Sequence, residues 1–349
     1  MKSKIHLFGR HSNRTPFSYS AYRPYLSQHF DYEDDPLKAD FLISGFCIDF
    51  RDNAKQVLSI IDGNPNIRLA VVSEEPLWDT IWSNGFQKII SQLNVKNGND
   101  EVQIKYHVVN HVTSNVFNFE KIPYFITTND DFYIRYSNLF LRNKRATRDQ
   151  LLALWRDAKI KFAFYAAKRM DLSFDVSFEG GSIQGLNRYR SLIAEAITGS
   201  DVVREGQGWG TAVTRQALPD WHLDKLAALD KQSFIVSALE NTHLSHYISE
   251  KLFDAFAVQA IPIYCAQPNH RAFDLVESQS FINVAGLSIA EAKEKILNFE
   301  VDGTVLDAYL ESQSNLASCF SNPKLLFNER KFLSEKLAQQ FKSIVNQSH

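Results

Sequence analysis

Short apolar runs rich in β-branched and aromatic residues alternate with helical patterns along most of the chain, the pattern of an α/β protein. In the first half, residues 5–8, 41–46, 69–72, 104–109 and 124–127 read as strands, and residues 53–61 and 80–93 as helices. The stretch 9–40, rich in Tyr, Ser and Pro, reads as loop. A basic, polar segment, LFLRNKRATR (139–148), leads into a short helical run, and the alternation then restarts. Strands are expected at 161–165, 234–238, 261–264 and 281–284, with helices at 188–197, 250–259 and 289–299. A long amphipathic helix over 323–345 closes the chain. The restart divides the chain into domains of residues 1–150 and 151–349. The expected fold class is α/β, two Rossmann-like domains facing one another across a cleft. Ligands in such sheets sit outside the carboxyl ends of the strands.

Composition changes this picture little. Hydrophobic residues make up 44% and charged residues 22% of the 349 positions, which is globular. The formal net charge is −2 and no basic stripe runs along the chain, which argues against nucleic acid as a partner. A local basic pocket for a phosphate-bearing small molecule is compatible with that balance. Cys47, Cys265 and Cys319 are far apart and odd in number, so they read as reduced thiols of a cytoplasmic protein. The start, MKSKIHLFGRH, shows no apolar signal core, and no run approaches the ~20 apolar residues of a spanning helix. The expected location is cytoplasmic, at most peripheral on the inner face of the membrane.

The segment 233–269, SFIVSALENTHLSHYISEKLFDAFAVQAIPIYCAQPN, carries the most chemistry. A buried strand delivers Glu240 and Asn241 into a polar loop. Ser249 stands at the N-cap position of a helix opened by Glu250, with Leu252, Phe253 and Phe256 on its buried face. Lys251 lies in the first turn, where a cation opposes the helix dipole unless an anion is close. A helix N-terminus with such a lysine suits a phosphate; a lone lysine here would otherwise be a solvated surface residue.

The string ENTHLSHYISEKLFDAF followed by AIPIY resembles the donor-binding motif of the bacterial α-1,3-fucosyltransferases. The matching positions are Glu240, Asn241, Tyr247, Glu250, Lys251 and Pro262, with Pro268 and SFINV (280–284) downstream. Leu239 stands where the family has phenylalanine, and Cys265 where bacterial members often have tryptophan. Upstream, NRYRSLIAEAI and DVVREGQGWG resemble the family's arginine-bearing helix, strand and glycine turn. That places Arg188, or Arg190 as a substitute, on a donor phosphate. LAVVSEEPLW resembles the strand that ends in the catalytic base, here Glu74 or Glu75. If the strand runs through them, their side chains point to opposite faces, and Pro76 biases Glu75 towards an extended conformation. The first 65 residues match little.

The resemblance implies the GT-B arrangement, with the acceptor on the first domain and a nucleotide-sugar donor, GDP-fucose, on the second. The acceptor would be an oligosaccharide or lipid-linked glycan carrying β-galactoside or N-acetylglucosamine, and transfer would invert the anomeric centre. No cofactor and no obligatory metal are implied. The rival readings are a GT-B transferase of another nucleotide sugar and a non-catalytic glycan-binding protein of the same fold.

Other signals are weaker. His243 and His246 lack a second ligand pair, and Asn129-Asp130-Asp131 belongs to the metal motif of a different glycosyltransferase fold. The glycines at 180, 181, 185, 206, 208 and 210 never form a dinucleotide-binding G-x-G-x-x-G after a strand. Phe332, Leu333, Leu337 and Phe341 recur at helical spacing among Lys331, Lys336 and Lys342. The terminal helix therefore either packs back on the protein or makes a weak peripheral membrane contact.

Overall fold

A computed structural model describes residues 2–79, 85–97, 100–210 and 217–346. The chain forms two compact units, one of Met1–Asp130 with Lys324–His349 and one of Asp131–Pro323. The division falls before residue 150, and the terminal helix returns to the first unit. Each unit is an α/β layer structure, as the alternating pattern predicts.

In the first unit six strands, β1 (Ser3–Leu7), β2 (Phe30–Tyr32), β3 (Phe41–Ser44), β4 (Arg68–Val72), β5 (Ile90–Asn97) and β6 (Asp100–Val109), form one sheet. Its order is β2-β1-β3-β4-β6-β5, parallel except for the edge strand β5, which pairs antiparallel with β6. Alternate residues feed two cores. Ile5, Phe41, Ile43, Ala70, Val72 and Val109 face one cluster, whereas Leu42, Leu69, Val71 and Val108 pack with Phe50, Val57 and Ile60 on the other.

The terminal helix Pro323–Asn346 covers the first of these faces through Leu333, Leu337, Phe341 and Ile344. Phe341 sits 4.7 Å from the Phe41 ring, 5.3 Å from Phe30 and 5.5 Å from Phe17. Glu329 on the same helix accepts hydrogen bonds from the backbone N–H groups of Glu120, Lys121 and Ile122. Arg330 donates to Thr127 O and pairs with Asp130 at 2.7 Å, which commits that aspartate to the fold. The apolar side chains at positions 333, 337 and 341 are thus buried in the core. The exposed side of this helix carries Lys331 and Lys342 together with Phe327, which is 50% exposed. Among the described residues, no helix is long and apolar enough to cross a membrane.

Three local expectations fail here. Residues 124–127 form a helical turn, Tyr124–Thr127, behind Pro123; a four-residue apolar run has no periodicity to separate strand from helix. The helix expected over 80–93 is strand from Ile90 onward, and residues 80–84 lie outside the described residues. The missed signal in the sequence is Gly98-Asn99, a pair that favours a hairpin between two strand-like runs. The stretch 9–40 is not all loop, since it contains β2 and the short helix Arg23–Leu26.

In the second unit β7 (Ile160–Tyr165), β10 (Val202–Glu205), β11 (Ser233–Ser237), β13 (Ile261–Tyr264) and β14 (Ile282–Asn283) form a parallel sheet in the order β10-β7-β11-β13-β14. A small antiparallel sheet joins β8 (Ser177–Phe178), β9 (Ile183–Gly185) and β12 (Thr242–His243). Counted in chain order, the second sheet runs 2-1-3-4-5, and so do the five parallel strands of the first sheet once the antiparallel edge strand β5 is set aside; in both the switch point lies between the first and third strands.

The helices Asp130–Asn143, Trp221–Leu229 and Gly303–Phe320 escaped the sequence reading. The first two meet the helix Glu250–Ala257 at Asp254, which is wholly buried. Asp254 accepts from Tyr136 Oη at 2.6 Å, His222 Nε2 at 2.7 Å and Lys225 Nζ at 2.8 Å. Burial opposes its charge, but Lys225 and His222 prevail and hold the carboxyl well below its ordinary range.

Two outcomes follow from this packing. Phe341→Ala should destabilise the first unit by about 3–5 kcal/mol in urea denaturation, because it opens a cavity among three other rings. A loss below 1 kcal/mol would place the terminal helix outside the core. Because folding lowers the pKa of Asp254, its stabilisation is complete above the unfolded value near ~4 and is lost as pH falls below it. Asp254→Asn should therefore be less stable at pH 7 and show a shallower acid limb in thermal melts.

Candidate functional site

In the second unit β11 runs through Ala238 and Leu239 into Glu240, which is 3% exposed. The loop then returns to the helix Glu250–Ala257 through Ser249. Ser249 holds the N-cap position but makes no side-chain cap. Its N–H donates to Glu240 Oε1 at 2.7 Å, and its hydroxyl donates to the same carboxylate at 2.7–2.9 Å. Lys251 Nζ lies 3.2 Å from Glu240 Oε2, 3.3 Å from Glu250 Oε1 and 2.8 Å from Ser249 Oγ. The anion that a first-turn lysine requires is thus provided by the protein itself, so a phosphate is not needed to explain Lys251.

Burial pushes the Glu240 carboxyl up, against the pull of Lys251. Burial also opposes the Lys251 ammonium, but Glu240 and Glu250 outweigh it and keep the group charged. Arg190 is close enough to act against the Lys251 charge, so two cations stand with two carboxylates. The backbone of Asn241 accepts from Leu186 N–H at 2.8 Å, and β12 pairs with β9. This ties the loop to the start of the helix Asn187–Ala196, which carries both arginines. Arg190 donates to Asn187 Oδ1 at 2.6 Å on the Lys251 side. Arg188 instead reaches Met170 O and Asp175, with its side chain 28% exposed. Tyr247 is half-buried, its N–H donating to Leu244 O at 2.9 Å.

His243 and His270 pack with ring centroids 5.3 Å apart. Burial lowers both, His270 to about 3 with further help from His243 and His246, so these rings are neutral packing groups.

In the first unit β4 ends at Val72, before the acidic pair, so Glu74 and Glu75 do not alternate across a sheet. Both turn to Arg14: its Nε donates to Glu74 and its Nη2 to Glu75 at 2.8 Å. Glu74, 6% exposed, also accepts from Tyr19 Oη at 2.6 Å and Tyr124 Oη at 3.2 Å. Burial and the Glu74 carboxylate push both phenols up, so they act as donors. Glu75 keeps 17% of its side chain exposed.

Beside them, His11 on the loop after β1 places its Nδ1 2.8 Å from Oδ1 of Asp49, on the short helix Cys47–Asp52 that follows β3, and the His11 N–H donates to Oδ2 at 2.9 Å. Ser44 Oγ donates to the same oxygen at 2.7 Å. The His11 ring stacks on Phe46 at 4.5 Å, and the Arg14 guanidinium lies 5.6 Å from that ring centroid. Arg14, Tyr19, Tyr124, His11 and Asp49 escaped the sequence reading. The rule that ligands meet loops at strand carboxyl ends, applied to the first strand, would have selected His11 and Arg14.

The chain is similar to the glycosyltransferase family 10 (fucosyltransferase) C-terminal model over residues 205–336. That segment contains Glu240, Asn241, Tyr247, Glu250 and Lys251, and excludes Arg188, Glu74 and Glu75. No curated protein sequence matches the chain. Among solved structures, an α1,3-fucosyltransferase with GDP-fucose is similar at 17% identity and TM-score 0.40, covering 92% of this chain and 91% of that one. A second α1,3-fucosyltransferase gives 18% and 0.41, covering 90% and 80%. A third, with GDP, gives 16% and 0.37, covering 93% and 92%. Values this low carry no residue assignment; the relationship to glycosyltransferases stands at the level of the matched family segment.

Lys251→Met removes the ammonium from between Glu240 and Glu250. It should cost about 3–5 kcal/mol of stability, as when one partner of a buried pair is lost. Adding Glu240→Gln should recover part of that loss, by urea denaturation of the single and double variants. A double variant no more stable than Lys251→Met would show that the two side chains do not depend on each other.

Proposed function

We propose that the protein is an inverting glycosyltransferase that moves fucose from GDP-fucose to a hydroxyl of a glycan. What supports this reading is the segment similar to family 10, which holds Glu240, Ser249 and Lys251 together where the chain passes from β11 to the helix Glu250–Ala257. A diphosphate arriving at this helix N-terminus meets N–H groups, the helix dipole and the ammonium of Lys251. Arg190, and Arg188 after release from Asp175, are the further cations for the charge that grows on the departing GDP. Glu250 and Tyr247 orient the donor, and Asn241 orders the loop through its bond to Leu186. On the acceptor side the attacking hydroxyl must give up a proton. The strand-end cluster of the first unit, with Glu74, Glu75 and the His11–Asp49 pair, supplies the candidate bases. The acceptor is an oligosaccharide or lipid-linked glycan handled in the cytoplasm.

Phosphate and ribose contacts say little about the base or the hexose, so the nucleotide is the first thing to measure. GDP at about 100 times its dissociation constant should stabilise the protein by about 2.7 kcal/mol. At equal concentration it should raise the melting temperature more than UDP or CMP. Preference for UDP or CMP would point to another nucleotide sugar. Stabilisation by none of the three would remove the transferase reading.

A further inference from the structure

Apart from the carboxylates after β4, the first unit holds a cavity of about 450 Å³ at the carboxyl end of β1. One wall is the stretch 6–10; the other is Asp49, Asp52, Asn53 and Gln56, where the helix Cys47–Asp52 gives way to the helix Ala54–Gly63. The volume is that of an ordinary small-molecule pocket, for which roughly 300–1,000 Å³ is usual. Neither Glu74 nor Glu75 lines it. Two glycines fix its edge. Gly9 has φ +82°, and a Cβ there would fall 2.4 Å from the Asp49 carboxylate. A Cβ on Gly45 would fall 2.5 Å from His11 O and 2.6 Å from Arg14 O. The loop after β1 therefore lies directly on the segment after β3, and the wall it forms is held in place.

The chemistry of the walls selects among ligands. Both oxygens of Asp49 already accept, from His11 and from Ser44, which leaves that carboxylate little for a metal ion. Among the described residues, no group of three or more His, Cys, Asp or Glu is placed to hold one. Two carboxylates in the lining, Asp49 and Asp52, oppose a phosphate, against the one guanidinium of Arg10. What remains is a mixed set of donors and acceptors. Asn53 gives its amide N–H to Asp49 O at 2.8 Å and keeps its carbonyl oxygen. His6 donates from Nδ1 to Glu33 O at 3.0 Å, so its lone pair is on Nε2. The exposed side chains of Arg10 and Gln56 bond to no described residue; they add a fork of N–H donors and an amide that both donates and accepts. Donors and acceptors side by side, with Leu7 as apolar surface, suit the neighbouring hydroxyls and the C–H face of a sugar ring.

We propose that this cavity binds a neutral sugar residue through Arg10, Asn53 and Gln56. Resting on the transferase reading, that sugar belongs to the acceptor glycan, at a unit other than the one that reacts. The same loop runs on from Arg10 to Arg14, which holds Glu74 and Glu75, so the cavity and those carboxylates share one stretch of backbone.

Titration calorimetry and saturation-transfer NMR on the full chain test this with D-galactose, N-acetylglucosamine and N-acetyllactosamine, and with inorganic phosphate and GDP as separate titrants. N-acetyllactosamine should bind. Gln56→Ala should weaken it about 3- to 10-fold, the loss of a neutral hydrogen bond, and Arg10→Ala about tenfold or more. Neither variant should change the melting temperature or the GDP affinity, because both side chains are exposed and bond to no described residue. In fucose transfer both should raise KM for N-acetyllactosamine and leave kcat unchanged. Binding of none of the three saccharides, or equal affinity in the wild type and both variants, overturns the site whether or not GDP binds. Phosphate binding that is lost in Arg10→Ala overturns it too, in favour of an anion site. Saccharide binding that depends on Arg10 or Gln56 in a protein with no affinity for GDP keeps the sugar site and removes the transferase reading. Fucose transfer with an unchanged KM in both variants overturns the assignment of the bound sugar to the acceptor.

Discussion

Asp49, Glu74, Glu240 and Asp254 are 1%, 6%, 3% and 0% exposed, and the placement of much else follows from matching them. A carboxylate taken out of water without partners is penalised by several kcal/mol. Each of the four is met by donors from other elements or from the adjoining loop. His11 and Ser44 meet Asp49; Arg14, Tyr19 and Tyr124 meet Glu74; Ser249 and Lys251 meet Glu240; and Tyr136, His222 and Lys225 meet Asp254. The loops that carry those donors have little freedom left. Three of the four lie near strand carboxyl ends, so the groups best placed for chemistry are also those that fix the loops.

Only part of this was legible in the sequence. Strands such as Phe41–Ser44 and Ile261–Tyr264 are buried throughout and stand out as apolar runs bounded by polar residues. The helix Glu250–Ala257 announces itself by its N-terminal Ser-Glu-Lys and its apolar face. The partner of Lys251 was invisible, because a bond between a first-turn lysine and a carboxylate on the preceding strand end is a tertiary contact. A local reading finds a cation at a helix N-terminus and supplies a phosphate; the fold supplies Glu240. Arg14 was missed for the same reason, since it meets Glu74 across some sixty positions of chain.

The same strand order in both units gives each a switch point, and the two are used differently. In the first unit loops after neighbouring strands touch through Gly9 and Gly45. In the second, the loop after β11 contains β12, which pairs with β9, so part of that loop belongs to a second, smaller sheet. A bond to a separate sheet can shift with that sheet, whereas two loops in backbone contact move together.

The terminal helix also bears on how the protein is made. A ribosome releases the first 130 residues long before Phe341, yet Phe17, Phe30 and Phe41 have that ring as a shared neighbour. The intervening segment, Asp131–Pro323, is complete in sequence by then and can fold on its own schedule. Until residues 333–344 have been made, the nascent first unit therefore lacks the helix that covers its aromatic face.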